Sequence, residues 1–317
     1  MKSPSLSTAK AEEPSKLRAV DAATQPSPGT PSSKILLALL AVYTIWGSTY
    51  LGIRFALESF PPLLMIGARF IVAGLILLVI VRARGEAMPT RKEWLHSAFA
   101  GLLMLGGGTG FTALAEQFIP SSLSATIVTV SPIMAAVIAG IFGMWPRRAE
   151  WLGILIGFAG AFLLTFDPSA QANPAGIALQ LTGSIFWTLG SILSARKLTL
   201  PKGGMTSAAQ MLAGGVLVLL IGFARGEAIT KEIVPVAVAA WVYLVIFGSI
   251  VAYSAYVFLL KHTRPALATS YAYVNPIVAV GLGAVLGGEA ISPARVAAMA
   301  VILVGVAFLT RARMQGS

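Results

Sequence analysis

Apolar runs of about 20 residues recur along nearly the whole chain between residues 34 and 310, and this feature limits the possible folds more than any other. A run of that length spans the roughly 30 Å hydrocarbon core of a bilayer as an α-helix. Charged residues make up only 11% of the 317 residues, whereas a soluble domain carries about 25%. The sequence therefore predicts an all-α polytopic membrane protein.

Turn-forming residues, such as those of the Pro61-Pro62 and Asp167-Pro168 pairs, divide this region into ten candidate transmembrane helices. The predicted spans are 34–58, 62–83, 91–117, 121–142, 149–166, 174–197, 204–224, 232–260, 265–288 and 292–310. Most connections between them are short, so we expect neighbouring spans to be antiparallel.

Lys and Arg lie almost entirely on one side of this ten-span arrangement. That side carries 18 of them, the other side carries three, and two fall inside spans. Because cytoplasmic loops are enriched in Lys and Arg, the split predicts that both termini are cytoplasmic. The net charge of +11 is therefore interpreted as topology-setting, and no nucleic-acid partner is expected.

The two ends of the chain are predicted to be tails. Residues 1–33 are rich in Ser, Pro, Ala and Lys and contain no apolar stretch of the kind found in a signal peptide. We expect them to form a disordered cytoplasmic tail, and residues 312–317 to form a second cytoplasmic tail.

An internal repeat is visible in the letters of the sequence. ARGE occurs at 83–86 and again 141 residues later at 224–227. The same offset aligns Trp46 with Trp187, and it aligns Arg69 with Gln210.

The repeat divides the spans into two sets of five, over residues 34–166 and 174–311. Because five is odd, the second set must enter the membrane from the opposite side. Two inverted five-helix repeats are typical of transporters that work by alternating access. Duplication for stability alone is the alternative.

Prolines occupy corresponding places in the two halves. Ser131-Pro132 and Asn275-Pro276 each fall near the middle of an apolar span. Proline removes a backbone N–H and disturbs the carbonyl four residues before it, which predicts helix kinks at Pro132 and Pro276. Such kinks shape a midplane cavity or are fixed features of the packing.

Several segments resemble the bacterial EamA-type carriers of the drug/metabolite transporter superfamily. The resemblance rests on WGSTYLGIRFAL (46–57), ARF (68–70), AEQFIPSSLSATI (115–127), SP (131–132) and the block from GSIVAYSAYVF to GAVLGGE (248–289). It implies ten helices in two inverted five-helix repeats and the export of amino acids, related metabolites or toxic compounds. One departure is that Glu289 fills a family position after the ninth helix, whereas Trp145 stands at the equivalent position after the fourth.

Polar and aromatic residues inside the spans are the candidates for a substrate cavity. The set is Trp46, Tyr50, Arg54, Arg69, Glu116, Gln117, Ser131, Trp187, Tyr253, Tyr256, Tyr271 and Asn275. Aromatic rings with polar tips suit an amphipathic organic molecule, although packing is the alternative for each ring. Ionisable groups in a bilayer are costly, so Glu116 is interpreted either as a protonatable or substrate-binding group or as the partner of a static ion pair with Arg54 or Arg69.

Enzyme motifs are absent from the sequence. The only Asp residues are Asp21 and Asp167, and no HExxH, GxSxG or Walker A pattern occurs. We therefore expect no catalytic activity, no cofactor and no metal.

The predicted function is secondary transport, in which small metabolites or drug-like molecules are exported across a bacterial inner membrane. The expected partners are a small-molecule substrate and the lipid bilayer, with a proton as a candidate coupling ion, and the expected state is a monomer or homodimer. A lipid-linked or nucleotide-sugar flippase and a non-transporting membrane scaffold are the alternatives.

Overall fold

The computed structural model describes residues 32–141, 143, 145–164, 173–287 and 293–314. Residues 1–31 of the predicted tail and Glu289 lie outside these residues, whereas Ser32 and Ser33, which were also predicted to belong to the tail, are helical. Within the described ranges all regular structure is helical, and no strand is present.

The described residues form a series of helices that we number in chain order. They are α1 (Ser32–Ala56), α2 (Pro62–Ala83), α3 (Arg91–Ala115), α4 (Ser121–Ile141), α5 (Arg148–Leu164), α6 (Pro174–Arg196), α7 (Met205–Ala224), α8 (Pro235–His262), α9 (Tyr271–Gly287) and α10 (Pro293–Met314). A short helical turn at Pro265–Ala268 precedes α9, and α10 continues into the predicted second tail.

Seven of these helices are long and apolar enough to cross a membrane. They are α1 to α4 and α6 to α8. Helices α5 and α9 have 17 residues each, and the apolar part of α10 covers Val296–Phe308. The structure thus confirms a helical protein with several membrane-spanning segments.

The two ARGE segments form matching turns, each of which caps a helix in the other sequence repeat. After α2, Gly85 adopts a φ of 82°, and the Glu86 carboxylate accepts hydrogen bonds from the backbone N–H groups of Gly204 (3.2 Å) and Met205 (2.8 Å), where α7 begins. Carboxylates at a helix N-terminus satisfy N–H groups that have no partner within the helix.

The second turn repeats this arrangement at the start of α2. Gly226 adopts a φ of 77°, and Oε2 of Glu227 accepts hydrogen bonds from the N–H groups of Leu63 and Leu64, both at 2.9 Å. Each half of the chain therefore supplies the cap for the second helix of the other half.

Small residues bring helix backbones close together. A Cβ atom on Gly67 of α2 would lie 2.6 Å from the backbone nitrogen of Leu219 in α7. A Cβ atom on Gly101 of α3 would lie 2.8 Å from the Cα atom of Gly214, also in α7. Glycine is required at these crossings because any side chain would push the helices apart.

Two long helices contain π-helical stretches that the sequence analysis did not predict. They are Leu102–Gly110 in α3 and Leu244–Tyr253 in α8, and the second begins 142 residues after the first. The internal repeat is thus visible in the backbone as well as in the letters. π-Helical stretches are frequent at functional sites because they re-aim side chains.

The backbone is also irregular near the predicted proline kinks. In α4, Val128–Val130 forms a 3₁₀ turn directly before Ser131-Pro132, and the Val128 carbonyl accepts a hydrogen bond from the Ser131 N–H. Pro276 lies inside α9, and the helical break on that part of the chain falls earlier, between Ala268 and Tyr271.

An ion pair ties the start of α5 to the segment before α9. Glu150 Oε1 lies 2.6 Å from Nε of Arg264, and Glu150 Oε2 accepts a hydrogen bond from the Arg147 N–H. Arg264 also donates to the carbonyl oxygen of Trp145, whose side chain is exposed.

Candidate functional site

A cavity lies between helices of both sequence repeats. Eight of the twelve predicted cavity residues line it: Trp46, Tyr50, Arg69, Ser131, Trp187, Tyr253, Tyr271 and Asn275. Both π-helical stretches reach the cavity, through Gly108 and Thr109 in α3 and through Gly248 and Tyr253 in α8.

The cavity extends from mid-helix toward one end of the bundle. Ile53 and Thr112 line it near the ends of α1 and α3, and Gln180 lines it near the start of α6. These ends are neighbours, because Nη1 of Arg54 donates to the carbonyl oxygen of Glu116 at 3.1 Å.

Four aromatic rings form a layer in the middle of the bundle. The Trp46 ring lies 5.2 Å from Trp187, 5.0 Å from Tyr256 and 4.9 Å from Tyr271, measured between centroids. Aromatic pairs at these separations add to the stability of packing beyond the area they bury. We call these four residues the aromatic layer. Trp46 and Trp187, which the repeat offset aligns, meet within it.

Tyr256 belongs to the aromatic layer but does not line the cavity, in contrast to the prediction. Its hydroxyl donates to Ser191 Oγ at 2.8 Å and accepts a hydrogen bond from Trp187 Nε1 at 3.2 Å. Ser191 lines a second, smaller cavity together with Thr188 and Leu260. The aromatic layer therefore separates two spaces in the bundle.

The π-helical stretch of α8 positions two cavity groups. Trp46 Nε1 donates to the Gly248 carbonyl at 3.0 Å, and Nε of Arg69 donates to Ser249 Oγ at 2.8 Å. A Cβ atom on Gly248 would lie 2.7 Å from Nη2 of Arg69, so the absence of a side chain there makes room for the guanidinium group.

Arg69 is 3% exposed, and its Cζ lies 4.8 Å from the centroid of the Phe70 ring. Its Nη1 has no hydrogen-bond partner among the described residues. The proposed ion pair with Glu116 does not form, since the one salt bridge within the described ranges joins Arg264 to Glu150.

Asn275 is a second unsatisfied polar group on the cavity wall. It is 1% exposed, and neither of its side-chain polar atoms makes a hydrogen bond of good geometry, although Tyr50 lies beside it. Buried polar groups are nearly always hydrogen-bonded, so an exception requires an explanation.

Arg54, Glu116 and Gln117 do not line the cavity; Arg54 lies in the last turn of α1, and Glu116 and Gln117 follow the end of α3 at Ala115. Arg54 and Gln117 are exposed. Glu116 is fully buried near Ser124, and neither of its carboxylate oxygens makes a hydrogen bond of good geometry. Arg54 contacts the backbone oxygen of Glu116 instead of the carboxylate, which excludes the predicted ion pair in this conformation.

Gln180 is the most informative cavity residue that the sequence analysis missed. Its Oε1 accepts a hydrogen bond from Ser124 Oγ at 2.6 Å, and its Nε2 donates to Thr112 Oγ1 at 3.2 Å. Gln180 is the one amide side chain within α6, and this was an available signal. Other polar lining residues that were missed are Thr49, Thr109, Thr112 and Ser184.

The described residues contain no group of three His, Cys, Asp or Glu side chains placed to hold a metal ion. The cavity is instead a polar and aromatic space enclosed by apolar helices. Such a space within a multi-pass bundle is typical of a membrane protein that binds a small molecule, as membrane transporters do.

The family follows from comparison with known proteins. The model of the EamA-like transporter family matches the chain twice, over residues 32–166 and 174–311. The chain belongs to this family of drug/metabolite transporter superfamily carriers, as the sequence resemblance predicted.

Named relatives agree with this assignment. The chain is 44% identical over 274 residues to the uncharacterized inner membrane transporter YedA of Escherichia coli (strain K12), covering 86% of this chain and 89% of that protein. It is 26% identical to Protein PecM of Dickeya dadantii (strain 3937), covering 84% and 86% of the two chains. The protein is therefore a multi-pass inner membrane transporter.

A solved crystal structure of another protein shares the fold. It superposes with a TM-score of 0.74 at 23% sequence identity, and it covers 89% of this chain and 99% of that chain.

Proposed function

We propose that the protein is a secondary transporter that exports a small metabolite, such as an amino acid or a related compound, or a drug-like molecule, by alternating access. The observation that carries the proposal is the cavity built by both sequence repeats, in which Arg69 and Asn275 are buried without a full set of partners. Polar groups left unsatisfied in a packed bundle cost stability, so their retention points to a ligand that satisfies them.

The transporter has ten membrane helices in two inverted repeats of five. Three pairs of equivalent features support this arrangement. The Glu86 and Glu227 caps are reciprocal, the π-helical stretches of α3 and α8 correspond, and Trp46 meets Trp187. Helices α5, α9 and α10 complete the set of ten.

In this topology the position of the cavity favours an outward-facing state. The positive-inside rule places the ends of α1 and α3 on the side away from the cytoplasm, and the cavity extends toward these ends. The aromatic layer closes the path to the cytoplasmic side, where the second cavity begins. Movement at the 3₁₀ turn before Pro132 and at the break before Tyr271 exchanges the two states.

The topology can be tested by single-cysteine labelling, because the chain contains no Cys. Ala87 and Ala228 are both exposed and occupy equivalent positions in the two ARGE turns. We expect a membrane-impermeant maleimide applied outside cells to label Ala228→Cys and to spare Ala87→Cys until the cells are opened. Labelling of both residues from the outside would refute the inverted arrangement.

Transport can be tested with purified protein in sealed liposomes by counterflow of labelled solutes. We expect saturable exchange of at least one small organic solute, and its loss in Trp187→Ala, a change that removes a wall of the cavity and part of the aromatic layer. If a broad solute set gives no exchange while the protein remains folded, a scaffold role is favoured over transport. A requirement for lipid-linked substrates would instead favour a flippase.

Glu116 is the proposed protonatable group, because its carboxyl group is fully buried and makes no ion pair in the described structure. Glu116→Gln, which removes the titratable group and keeps the shape, should abolish transport and leave the folded yield unchanged. Normal transport by Glu116→Gln would remove this residue from the mechanism.

A further inference from the structure

We infer that the transported solute is a small organic carboxylate with an apolar or aromatic body, and that Arg69 binds its carboxylate group. This inference rests on the proposed transport function and specifies the substrate class of the same cavity. It excludes cationic compounds and gives no role to the amino group of an amino acid.

The described wall of the cavity carries one positive charge that no acidic residue of the wall balances. Arg69 lines the cavity, and no Asp or Glu is found among the described lining residues. A buried charge without a partner is strongly unfavourable, and Arg69 makes no ion pair within the described structure. A bound carboxylate would supply the missing charge, whereas a cationic ligand would add to the repulsion.

The residues around Arg69 hold its guanidinium group in a fixed position. Ser249 holds Nε, the Phe70 ring lies against the guanidinium group, and Gly248 leaves space for Nη2. The side chain is therefore fixed in position while Nη1 lacks a partner. A planar guanidinium group held in this way is suited to carboxylate oxygens.

The remaining walls favour an anion with an apolar body. Asn275 offers an unsatisfied amide, which can donate a second hydrogen bond to a ligand oxygen. Trp46, Trp187 and Tyr271 supply aromatic surface at the base of the same cavity.

The two sequence repeats differ at the position of Arg69, where the second repeat has an uncharged residue. Gln210 is the repeat equivalent of Arg69, and it is fully buried but satisfied: its Oε1 accepts from the Tyr253 hydroxyl at 2.9 Å, and its Nε2 donates to Ser194 Oγ at 3.2 Å. The Gln210 amide is thus satisfied by hydrogen bonds within the protein, whereas among the described residues Arg69 lacks both an ion-pair partner and a hydrogen-bond acceptor for Nη1. The described cavity wall therefore has one unpaired cation, which matches a ligand with one negative charge.

A matched ligand series isolates the effect of charge. We suggest four probes with the same phenyl body: 3-phenylpropionate (anion), phenylalanine (zwitterion), 3-phenylpropanol (neutral) and phenethylamine (cation). Isothermal titration of purified protein should show 3-phenylpropionate binding at least about tenfold more tightly than the neutral and cationic probes. Equal or tighter binding of phenethylamine, or no binding of any of the four, would overturn the inference.

Variants assign the preference to Arg69. Arg69→Gln should abolish the difference between 3-phenylpropionate and 3-phenylpropanol, and Arg69→Lys should retain a preference for the anion, since it keeps the charge. Gly248→Ala should weaken 3-phenylpropionate more than 3-phenylpropanol by displacing the guanidinium group. Arg84→Gln, at an exposed position, is the control and should bind like the unaltered protein. An anion preference that survives Arg69→Gln would contradict the assignment.

Counterflow with the same probes separates this inference from the transport proposal. Exchange of phenethylamine in place of 3-phenylpropionate would overturn the substrate class and leave transport standing. Binding of 3-phenylpropionate without exchange of any solute would support the anion site and contradict transport.

Discussion

Replacement of Glu227 should destabilise the protein by breaking contact between its two halves. Glu227 accepts hydrogen bonds from the N–H groups of Leu63 and Leu64, which are 5% and 8% exposed, so water cannot easily replace the lost acceptor. Hydrogen bonds to a charged group contribute about 1.5–3 kcal/mol, and loss of an N-terminal cap costs about 0.5–2 kcal/mol. These terms overlap, and we therefore expect Glu227→Ala to cost about 2 kcal/mol.

Thermal unfolding in detergent measures this cost. A loss of about 2 kcal/mol corresponds to a fall in Tm of roughly 3 °C for a chain of 317 residues, because the entropy of unfolding is about 2.1 cal/mol/K per residue. Glu227→Gln should fall about halfway, because a neutral amide oxygen still accepts from an N–H but lacks the charge at the helix terminus. Glu86→Ala, at the equivalent cap of α7, should behave like Glu227→Ala.

Glu58→Gln is the matched control, because Glu58 is exposed. Its Tm should stay within about 1 °C of the unaltered protein, as expected for a surface substitution. If Glu227→Ala and Glu58→Gln gave the same Tm, the capping argument would be refuted.

Three further substitutions test contacts between helices: two concern close packing at glycine, and one concerns an ion pair. Gly101→Ala should lower the Tm and the folded yield, because its Cβ atom would lie 2.8 Å from the Cα atom of Gly214. Gly281→Ala is the control and should leave both unchanged, because a Cβ atom there would meet no atom of the described residues within 4 Å. Arg264→Gln should reduce stability by about 1 kcal/mol, because it leaves Glu150 buried without its cation; a Tm equal to that of the unaltered protein would show that this ion pair contributes nothing.

Helix positions were predictable where the chain carries strong local signals. Pro62 begins α2 and the Arg84-Gly85 turn ends it, and the predicted bounds of 62–83 agree with the structure. Proline fits the first turn of a helix because its missing N–H has no partner there, and glycine adopts the positive φ that ends it.

The π-helical stretches were not predictable in the same way. A π-helical stretch changes the hydrogen-bonding register of the backbone, and apolar residues of the same type suit either register. In α3 the run Gly106-Gly107-Gly108 packs closely against α6, since a Cβ atom on Gly107 would lie 2.6 Å from Phe186 and one on Gly108 would lie 2.6 Å from Trp187. These contacts join the π-helical stretch of α3 to α6, which is distant in the sequence.

The cavity was predictable in its centre and not at its rim. Trp46, Trp187 and Asn275 lie deep within apolar spans, where a polar or aromatic group stands out. Glu116 and Gln117 stand out for the same reason, but α3 ends at Ala115, and the chain turns them away from the cavity. A shift of one or two residues at a helix end is enough to change what such a side chain contacts.

The reciprocal Glu86 and Glu227 caps make the two halves of the chain depend on each other. A fragment of five helices would contain a glutamate carboxylate that accepts no hydrogen bond from a helix N-terminus. It would also contain a second helix whose N-terminal N–H groups have no carboxylate to donate to. Two such fragments would satisfy each other through reciprocal contacts, in which each carboxylate caps a helix of the other fragment. The two halves are therefore joined by the chain and also by these two caps, because each half supplies a helix cap that the other half lacks.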